Sequence, residues 1–334
     1  MTDAVYAAVD GGTTNTRIVL ARGETLFARV KIPCGAGDTA RNGSAARWAR
    51  EVRQGLEELL LQNGIAPTEL HGIFASGMIC SELGLHATAH LPCPAGEAEL
   101  AAAAETVRMS EISDVPVTFI PGLKCGGEKT EDTDIMRGEE TEAVGIRRLC
   151  GNAADRPYVL LLPGTHNKAV FVDGEGRITR FYTAMSGELV RCVAEHTILK
   201  EALDGGFSKT PDQAFLLQGY DLCETHGFTA ALFKLRISAK FFEKEPRRLY
   251  SMLLGMALHE DIRLLTGAHG VKDVRIAGSE PFKSALAVLL EQRTALCFES
   301  VPEKIADQSA AVGALAIGRK ASCAADVKKT IDSL

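Results

Sequence analysis

The chain reads as an α/β protein of two domains, and two observations predict this. Each half opens on an apolar run, a polar turn built on glycine, and a second apolar run. In the first half the run Ala4 to Val9 ends on Asp10, turns through Gly11-Gly12-Thr13-Thr14-Asn15-Thr16-Arg17 and returns as Ile18-Val19-Leu20. In the second, Tyr158 to Leu162 is followed by Pro163-Gly164-Thr165-His166-Asn167 and then by Lys168 to Val172. The other observation is length: 334 residues exceed one ordinary domain and suit two.

The elements follow from periodicity and punctuation. After the first hairpin, Thr25 to Ile32 predicts a third strand. Trp48, Val52, Leu56 and Leu59 recur at helical spacing, with Gly64 as the stop. His71 to Ala75 and Val117 to Ile120 predict further strands. In the second half, Lys168 to Val172 and Arg177 to Tyr182 flank the turn Asp173-Gly174-Glu175-Gly176. A helical region runs from about Ser186 to Leu265, and a strand Val274 to Ala277 ends at Gly278-Ser279. The halves share a pattern of elements with little residue identity.

Composition narrows the function classes. With 46% hydrophobic and 24% charged residues the chain is an ordinary globular protein. Its net charge of −6 comes without a basic cluster, which argues against nucleic acid and for a small-molecule partner. The N-terminus lacks a signal pattern and no apolar run is long enough to span a membrane, so a cytoplasmic protein is expected. Nine widely spaced cysteines without a C-x-x-C pair support neither a disulfide framework nor a zinc cluster, and read as reduced, partly buried small hydrophobes.

The two turns carry the chemistry. Glycine lets backbone N–H groups approach an anion closely, and threonine hydroxyls donate to phosphate oxygens. Asp10 suits Mg²⁺ or its water shell, since that hard cation prefers oxygen ligands. An ordinary glycine-rich hairpin would look the same taken alone. Two such turns facing each other across a cleft would hold a polyphosphate from both sides, which is most of what phosphoryl transfer requires; two unrelated turns are the alternative. Between the halves, Ile135 to Gly145 reads as a helix opening on glutamates, favourable at the positive end of a helix dipole and commonly just solvated. Gly138, Thr141 and Gly145 share one face of it; Ala310, Ala314 and Gly318 make a similar strip on a helix over Ala306 to Lys320. Such helices could cross closely where domains meet and form a hinge, although alanine-rich helices are common.

Three other segments carry less. Gly122 to Thr130 nearly spells a P-loop, but Glu128 precedes Lys129, where an acid would repel phosphate. Gly35-Ala36-Gly37 resembles a dinucleotide fingerprint, yet Pro33 and Asn42-Gly43 predict a loop. His166 has no second histidine at ligand spacing and reads as a loop or substrate-contacting side chain.

Taken in order, Asp10-Gly11-Gly12-Thr13-Thr14, Gly138-Glu139, Gly164-Thr165, Gly278-Ser279 and the small-residue C-terminal helix resemble five elements of the actin-like sugar kinase and Hsp70 superfamily: phosphate-1, connect-1, phosphate-2, adenosine and connect-2. More narrowly, the chain is similar to the 2-dehydro-3-deoxygalactonokinase family. Ile120-Pro121-Gly122-Leu123, Met136-Arg137-Gly138-Glu139-Glu140-Thr141, Pro163-Gly164-Thr165-His166-x-Lys168 and Met185-Ser186-Gly187-Glu188-Leu189 carry this, together with Gly77-Met78, Ser81 and Gly84. The landmarks run over nearly the whole chain. Members of the family often carry Trp where Gly11 and Ala169 stand here, and the region after Gly205 matches weakly; both bear on the identity of the sugar.

The resemblance implies two ribonuclease-H-like (actin-like ATPase) domains with a cleft between them. Residues 1–134 would form the sugar and phosphate-1 side, 135–307 the phosphate-2 and adenosine side with a helical insert, and 308–334 a connecting helix and tail. It implies ATP-dependent phosphorylation of the 6-hydroxyl of 2-dehydro-3-deoxy-D-galactonate, giving the 6-phosphate and ADP in galactonate catabolism. Glu139, with Glu140 as runner-up, would be the general base; Asp10 would hold Mg²⁺ through water. Thr13, Thr14 and Asn15 would face the γ-phosphate, with Gly11 and Gly12 also binding the nucleotide, Gly164 and Thr165 the β-phosphate, and Gly278 and Ser279 the nucleoside. Gly37, Asn42, Arg137, His166, Lys168, Gly187 and Glu188 would line the sugar acid, with Arg137, Lys168 and Arg191 the candidate cations for its carboxylate. Partners would be the sugar acid, ATP and a second copy in a homodimer, and closure of the two domains on their substrates is expected. The alternatives are a kinase for another 2-keto-3-deoxy sugar acid and a non-catalytic sugar-acid or nucleotide sensor on the same fold.

Overall fold

The computed structural model describes residues 4–151, 156–267 and 272–332, the last eight as backbone only. The chain divides into two compact units. Unit 1 takes Met1–Asp155, Asp173–Arg180 and Ile305–Leu334; unit 2 takes Arg156–Val172 and Phe181–Lys304.

Unit 1 begins β1 (Val5–Gly11), β2 (Thr16–Arg22), β3 (Thr25–Ile32), α1 (Ala36–Asn42), α2 (Ala46–Gln62) and β4 (Leu70–Gly77). It continues β5 (Leu91–Pro92), α3 (Glu97–Ala103), β6 (Glu105–Val107), β7 (Val117–Phe119), β8 (Leu123–Cys125), β9 (Asp134–Met136) and α4 (Glu139–Cys150). The main sheet has the order β3-β2-β1-β4-β7-β6. Its first three strands are antiparallel neighbours, whereas β4 runs parallel to β1 and β7 parallel to β4. The α2 stripe Trp48, Val52, Leu56 and Leu59 is buried, as its spacing predicts. Trp48 is large and polar at one edge, and its Nε1–H finds Thr16 Oγ1 at 2.6 Å. Thr16 in turn donates to the Cys34 carbonyl at 2.8 Å, so this buried polar chain is satisfied.

Unit 2 contains β10 (Tyr158–Leu162), β11 (Asn167–Val172), β12 (Ile178–Ala184, from Phe181 onward), α5 (Ser186–His196), α6 (Lys200–Leu203), α7 (Gln213–His226), α8 (Phe228–Phe241) and α9 (Pro246–Thr266). β13 (Asp273–Ile276), α10 (Phe282–Arg293) and β14 (Cys297–Ser300) follow. Its sheet order, β12-β11-β10-β13-β14, repeats that of the first five strands of unit 1, with β10 antiparallel to β11 and parallel to β13. This third-second-first-fourth-fifth order, occurring twice, is the ribonuclease-H-like arrangement of the actin-like ATPase fold. The long helix α9 is the core of the unit, burying Leu249, Met252, Leu253, Leu254, Met256 and Leu258. It packs closely on α7 because glycines interlock: a Cβ on Gly219 would lie 2.0 Å from the Met252 carbonyl, and one on Gly255 1.9 Å from that of Leu216.

The chain ends in α11 (Glu303–Asp332). It crosses α4 at backbone distance: a Cβ on Gly145 would lie 1.8 Å from the Ser309 carbonyl, and one on Gly313 1.9 Å from that of Thr141. The small-faced crossing therefore exists, within unit 1 and with Ser309 and Gly313 on its α11 side. Gly318 instead admits the Phe74 ring of β4, whose Cδ1 would lie 2.1 Å from an added Cβ. Both helices belong to unit 1, so the units divide the chain differently from the boundaries at 134 and 307.

Two local expectations change. The segment after Pro33 is a helix, not a loop. Gly35 is its extended N-cap, and the Asp38 carboxylate accepts from the Gly35 N–H at 3.1 Å. Ile135 and Met136 belong to β9, and the acidic helix starts only at Glu139. After the Gly122–Gly127 stretch comes a short 3₁₀ turn at Thr130–Asp132, which is not how a P-loop continues. All nine cysteines are free thiols.

Candidate functional site

In unit 1 the candidate groups gather where β1 and β4 end. The two strands are parallel neighbours with Asp10 opposite Ser76 and Gly11 opposite Gly77, and the carboxyl edge of such strands is where α/β sheets bind ligands. Gly77 has φ +83°, a conformation that favours glycine, and a Cβ there would stand 2.7 Å from the Gly11 carbonyl and 3.2 Å from Asp10 Oδ1. Gly138, at φ +113°, approaches Gly77 in turn, with 3.2 Å between its would-be Cβ and Gly77 Cα. Bare backbone at these positions brings the start of α4 beside Asp10.

Glu139 and Glu140 diverge at that start. One Glu139 carboxylate oxygen accepts from the Arg137 backbone N–H at 3.1 Å, and the side chain is half-buried. Glu140 is fully buried. Both its oxygens accept from the Gly138 N–H, at 2.9 and 2.8 Å, and the Thr141 hydroxyl donates to it at 3.2 Å. Burial, reinforced by the neighbouring Glu139 charge, pushes the Glu140 carboxyl up to about 8. Glu140 thus closes the helix N-terminus, while Glu139 is the less buried of the two acids.

Asp10 pairs with Arg17, its partner across the β1–β2 ladder, at 3.1 Å. Burial raises its carboxyl, and Arg17 opposes the shift. Glu142, one turn along α4 from Glu139, is also raised to about 8, by burial first and then by Glu139 and Asp10. Arg17 opposes the negative charge at Asp10 and Glu142, and a cation beside Asp10 would do the same. Among the described residues no three His, Cys, Asp or Glu side chains are close enough to cage a metal. The fit is therefore to an ion that keeps most of its water and reaches protein oxygen in few places, as Mg²⁺ does.

The first turn is propped from behind. The Gly12 N–H closes it on the Asn15 carbonyl at 2.9 Å, while the amides of Ala36 and Gly37 donate to the Gly12 and Thr13 carbonyls at 3.1 and 2.8 Å. Gly37 thus meets the turn itself, and Asn42 lies exposed at the far end of α1. Thr13 and Thr14 are exposed, and no hydrogen bond from their amides occurs among the described residues. The Arg137 guanidinium is turned onto Thr88, donating to its hydroxyl at 2.8 Å and its carbonyl at 2.9 Å.

Unit 2 repeats the design. Gly278 follows β13 with φ +94°, and its would-be Cβ lies 2.9 Å from the Pro163 carbonyl, much as Gly77 stands to Gly11. Ser279 follows it directly. Gly187, at the start of α5, approaches so closely that a Cβ would fall 1.9 Å from the Gly164 carbonyl. Gly164, Thr165 and His166 are exposed. His166 Nε2 lies 2.7 Å from a Glu188 carboxylate oxygen, and the Glu188 amide donates to the Thr165 carbonyl at 2.9 Å. Lys168 is buried on β11 opposite Leu162, and Arg191 is exposed on α5.

Beneath this turn sits a group that the sequence reading passed over. The Gly164 N–H donates to Asn167 Oδ1 at 2.9 Å, Asn167 Nδ2 donates to Asp261 Oδ1 at 2.9 Å, and the Ser186 hydroxyl donates to Asp261 Oδ2 at 2.5 Å. Burial raises Asp261 to about 6 against these hydrogen bonds. Thr88 and Glu142 were likewise missed, since a lone threonine in a loop and a third glutamate on an acidic helix carry no pattern.

The model of the 2-keto-3-deoxy-galactonokinase family matches residues 10–315, which includes every segment just described. The chain belongs to this family. A similar curated protein is the probable 2-dehydro-3-deoxygalactonokinase of Rhizobium meliloti, 31% identical over 209 residues. The 2-dehydro-3-deoxygalactonokinase of Escherichia coli is 29% identical over 201 residues. Each alignment spans 60% of this chain and 60% of the relative. The crystal structure of a Sinorhizobium meliloti protein assigned as a 2-dehydro-3-deoxygalactonokinase superposes with a TM-score of 0.77 at 26% identity, covering 94% of this chain and 98% of that one. Among the described residues no helix of this family member is long and apolar enough to cross a membrane.

Proposed function

We propose that this member of the 2-keto-3-deoxy-galactonokinase family transfers the γ-phosphoryl group of ATP to the 6-hydroxyl of 2-dehydro-3-deoxy-D-galactonate, a step in galactonate catabolism. The observation that carries the reading is the start of α4. There a half-buried carboxylate, held by the Arg137 amide, stands on glycine backbone that approaches Asp10. A primary hydroxyl is a weak nucleophile, and a carboxylate that takes its proton during attack makes it competent. Glu139 has that role. Glu140, whose two oxygens are already turned onto the Gly138 amide, keeps the helix start in place.

The remaining residues bind and orient. The exposed amides and hydroxyls of Thr13 and Thr14 and the backbone at Gly12 suit phosphate oxygens of ATP, with Asn15 closing the turn, whereas Gly11 is buried against Ile79 and Trp48 and supports the turn from the sheet. Gly164 and Thr165 do the same in unit 2, with Gly278 and Ser279 against the nucleoside. Mg²⁺ held through water by Asp10 would supply charge neutralisation for the phosphates. His166 and Glu188, already paired, and Gly187 at their base suit a polyhydroxylated ligand. Of the cations for the substrate carboxylate, Arg191 has the freest surface position, Lys168 is buried, and Arg137 is committed to Thr88. Gly37 supports the first turn more directly than it does a sugar. The expected setting is a cytoplasmic homodimer.

An ADP-release assay over a panel of 2-keto-3-deoxy sugar acids tests this. The galactonate derivative should give the highest kcat/KM, and 6-phosphate should appear with equimolar ADP. Preference for another sugar acid would move the substrate; tight sugar-acid or ATP binding without ADP release would make the protein a sensor.

A further inference from the structure

We propose that Asp261 is a positioning residue that, through the Asn167 amide, holds the Gly164–His166 turn in its nucleotide-phosphate-binding form. This rests on the reading of that turn as a phosphate site. A carboxylate accepts only, so Asp261 fixes which end of the Asn167 amide it faces. With Nδ2 on Asp261 at 2.9 Å, Oδ1 is left toward the Gly164 N–H, also at 2.9 Å. Tying that amide inward shapes the turn so that the next two residues, Thr165 and His166, stay exposed, and their amides make no hydrogen bond among the described residues. Those are the donors that an anion would take.

Two features separate this from ordinary core packing. Asp261 is half-buried on α9, between the buried Leu258 and Ile262, and its side-chain hydrogen-bond partners are an amide and a hydroxyl rather than a cation. Removing the acid would leave the Asn167 amide and the Ser186 hydroxyl without their acceptor, so the carboxylate has a polar task here. Ser186 engages the second oxygen at 2.5 Å and begins α5, the helix whose Gly187 abuts the Gly164 carbonyl. The Ser186 hydroxyl thus occupies the second oxygen, and the route from the carboxylate to the turn runs through Asn167 on β11.

The test measures binding of the non-hydrolysable ATP analogue with imido-linked β,γ-phosphates, with Mg²⁺, to the full chain by calorimetry, alongside steady-state kinetics. Asp261→Ala and Asn167→Ala should each weaken analogue binding about three- to fifteenfold, the range for one lost hydrogen bond. The double variant should resemble either single one, because both act on the Gly164 amide. Ser186→Ala, which disturbs the same carboxylate without the Asn167 route, should change affinity less than threefold. Asp261→Asn, which retains an acceptor for Asn167, should rescue most of the loss and keeps the test open if the alanine variant folds poorly. KM for ATP should rise with little change in KM for the sugar acid or in kcat. Unchanged affinity in Asp261→Ala, multiplying effects in the double variant, or equal damage from Ser186→Ala would each overturn the proposal. If the parent itself binds no analogue, the phosphate reading of the turn falls and takes this proposal with it.

Discussion

Replacing Glu139 by Gln is the sharpest perturbation of the unit 1 site. Gln keeps the side-chain volume and one oxygen, so the contact with the Arg137 amide at 3.1 Å can persist and the start of α4 should stay in place. What disappears is the capacity to take a proton. General-base assistance contributes roughly 10²- to 10⁴-fold, so kcat should fall by that factor, equivalent to about 3–5 kcal/mol of barrier. Nucleotide affinity should change little, because the lost contribution is made in the transition state. Glu140→Gln is the matched control: adjacent in sequence, the same chemical change, but on a carboxyl that is fully buried and held on both oxygens by the Gly138 amide. It should keep kcat within about threefold, since a side chain with no exposed face cannot reach substrate. ADP release at saturating substrates, with analogue binding by calorimetry, measures both variants. The assignment is refuted if Glu139→Gln turns over normally while Glu140→Gln does not. If both remain active, the base lies outside this helix start.

Other perturbations test neighbouring parts. Asp10→Asn should raise the Mg²⁺ concentration for half-maximal turnover by roughly tenfold while leaving sugar-acid binding measurable, because the carboxylate acts on the ion; an unshifted Mg²⁺ titration would count against the hairpin reading. Gly145→Ala should destabilise the fold by about 1–3 kcal/mol in urea melts, since its Cβ would fall 1.8 Å from the Ser309 carbonyl and backbone cannot swing aside; wild-type stability would mean that α4 and α11 cross less closely. Glu140 gives a pH dependence: its folded carboxyl, near 8, lies above the ordinary value of 4.5, so the folded state retains a proton that the unfolded chain releases. The parent should therefore lose stability as pH rises from about 5 to 8, Glu140 contributing a limiting slope of about 1.4 kcal/mol per pH unit beside that of Glu142, and Glu140→Gln should remove the Glu140 share. Parallel urea titrations of parent and variant over that range would exclude a buried, proton-bearing Glu140.

The long strands and the α2 face were legible because one physical rule governs each. An apolar run closing on glycine can only turn, and the Trp48 to Leu59 stripe repeats at the helical period. The strands that were missed, β5, β6, β8, β9 and β14, have two to four residues, too few for an alternation to register. Helix α1 was hidden by its own glycines: Gly35 and Gly37 read as loop, yet they are there because the turn backbone lies against them, with the Gly12 carbonyl 2.4 Å from a would-be Cβ on Gly35. The choice between Glu139 and Glu140 was beyond the sequence in principle. Adjacent residues on a helix point about 100° apart, and only the fold decides which direction is solvent and which is core.

The support of the two turns explains why one unit was easier to read than the other. Both turns follow the first strand of the same sheet order, and each is met by a positive-φ glycine at the end of the parallel neighbour or just beyond it, Gly77 or Gly278. In unit 1 the turn is braced by backbone, the Ala36 and Gly37 amides on its carbonyls, so its supports lie within about 25 residues and are marked by glycine. In unit 2 the brace is made of side chains, and Asp261 lies 94 residues beyond Asn167 in Leu258-His259-Glu260-Asp261-Ile262-Arg263, where it reads as one more solvated helix charge. Backbone support demands small residues and leaves a signature along the chain. Side-chain support demands only one buried acceptor, which three-dimensional packing alone can distinguish from an ordinary surface acid.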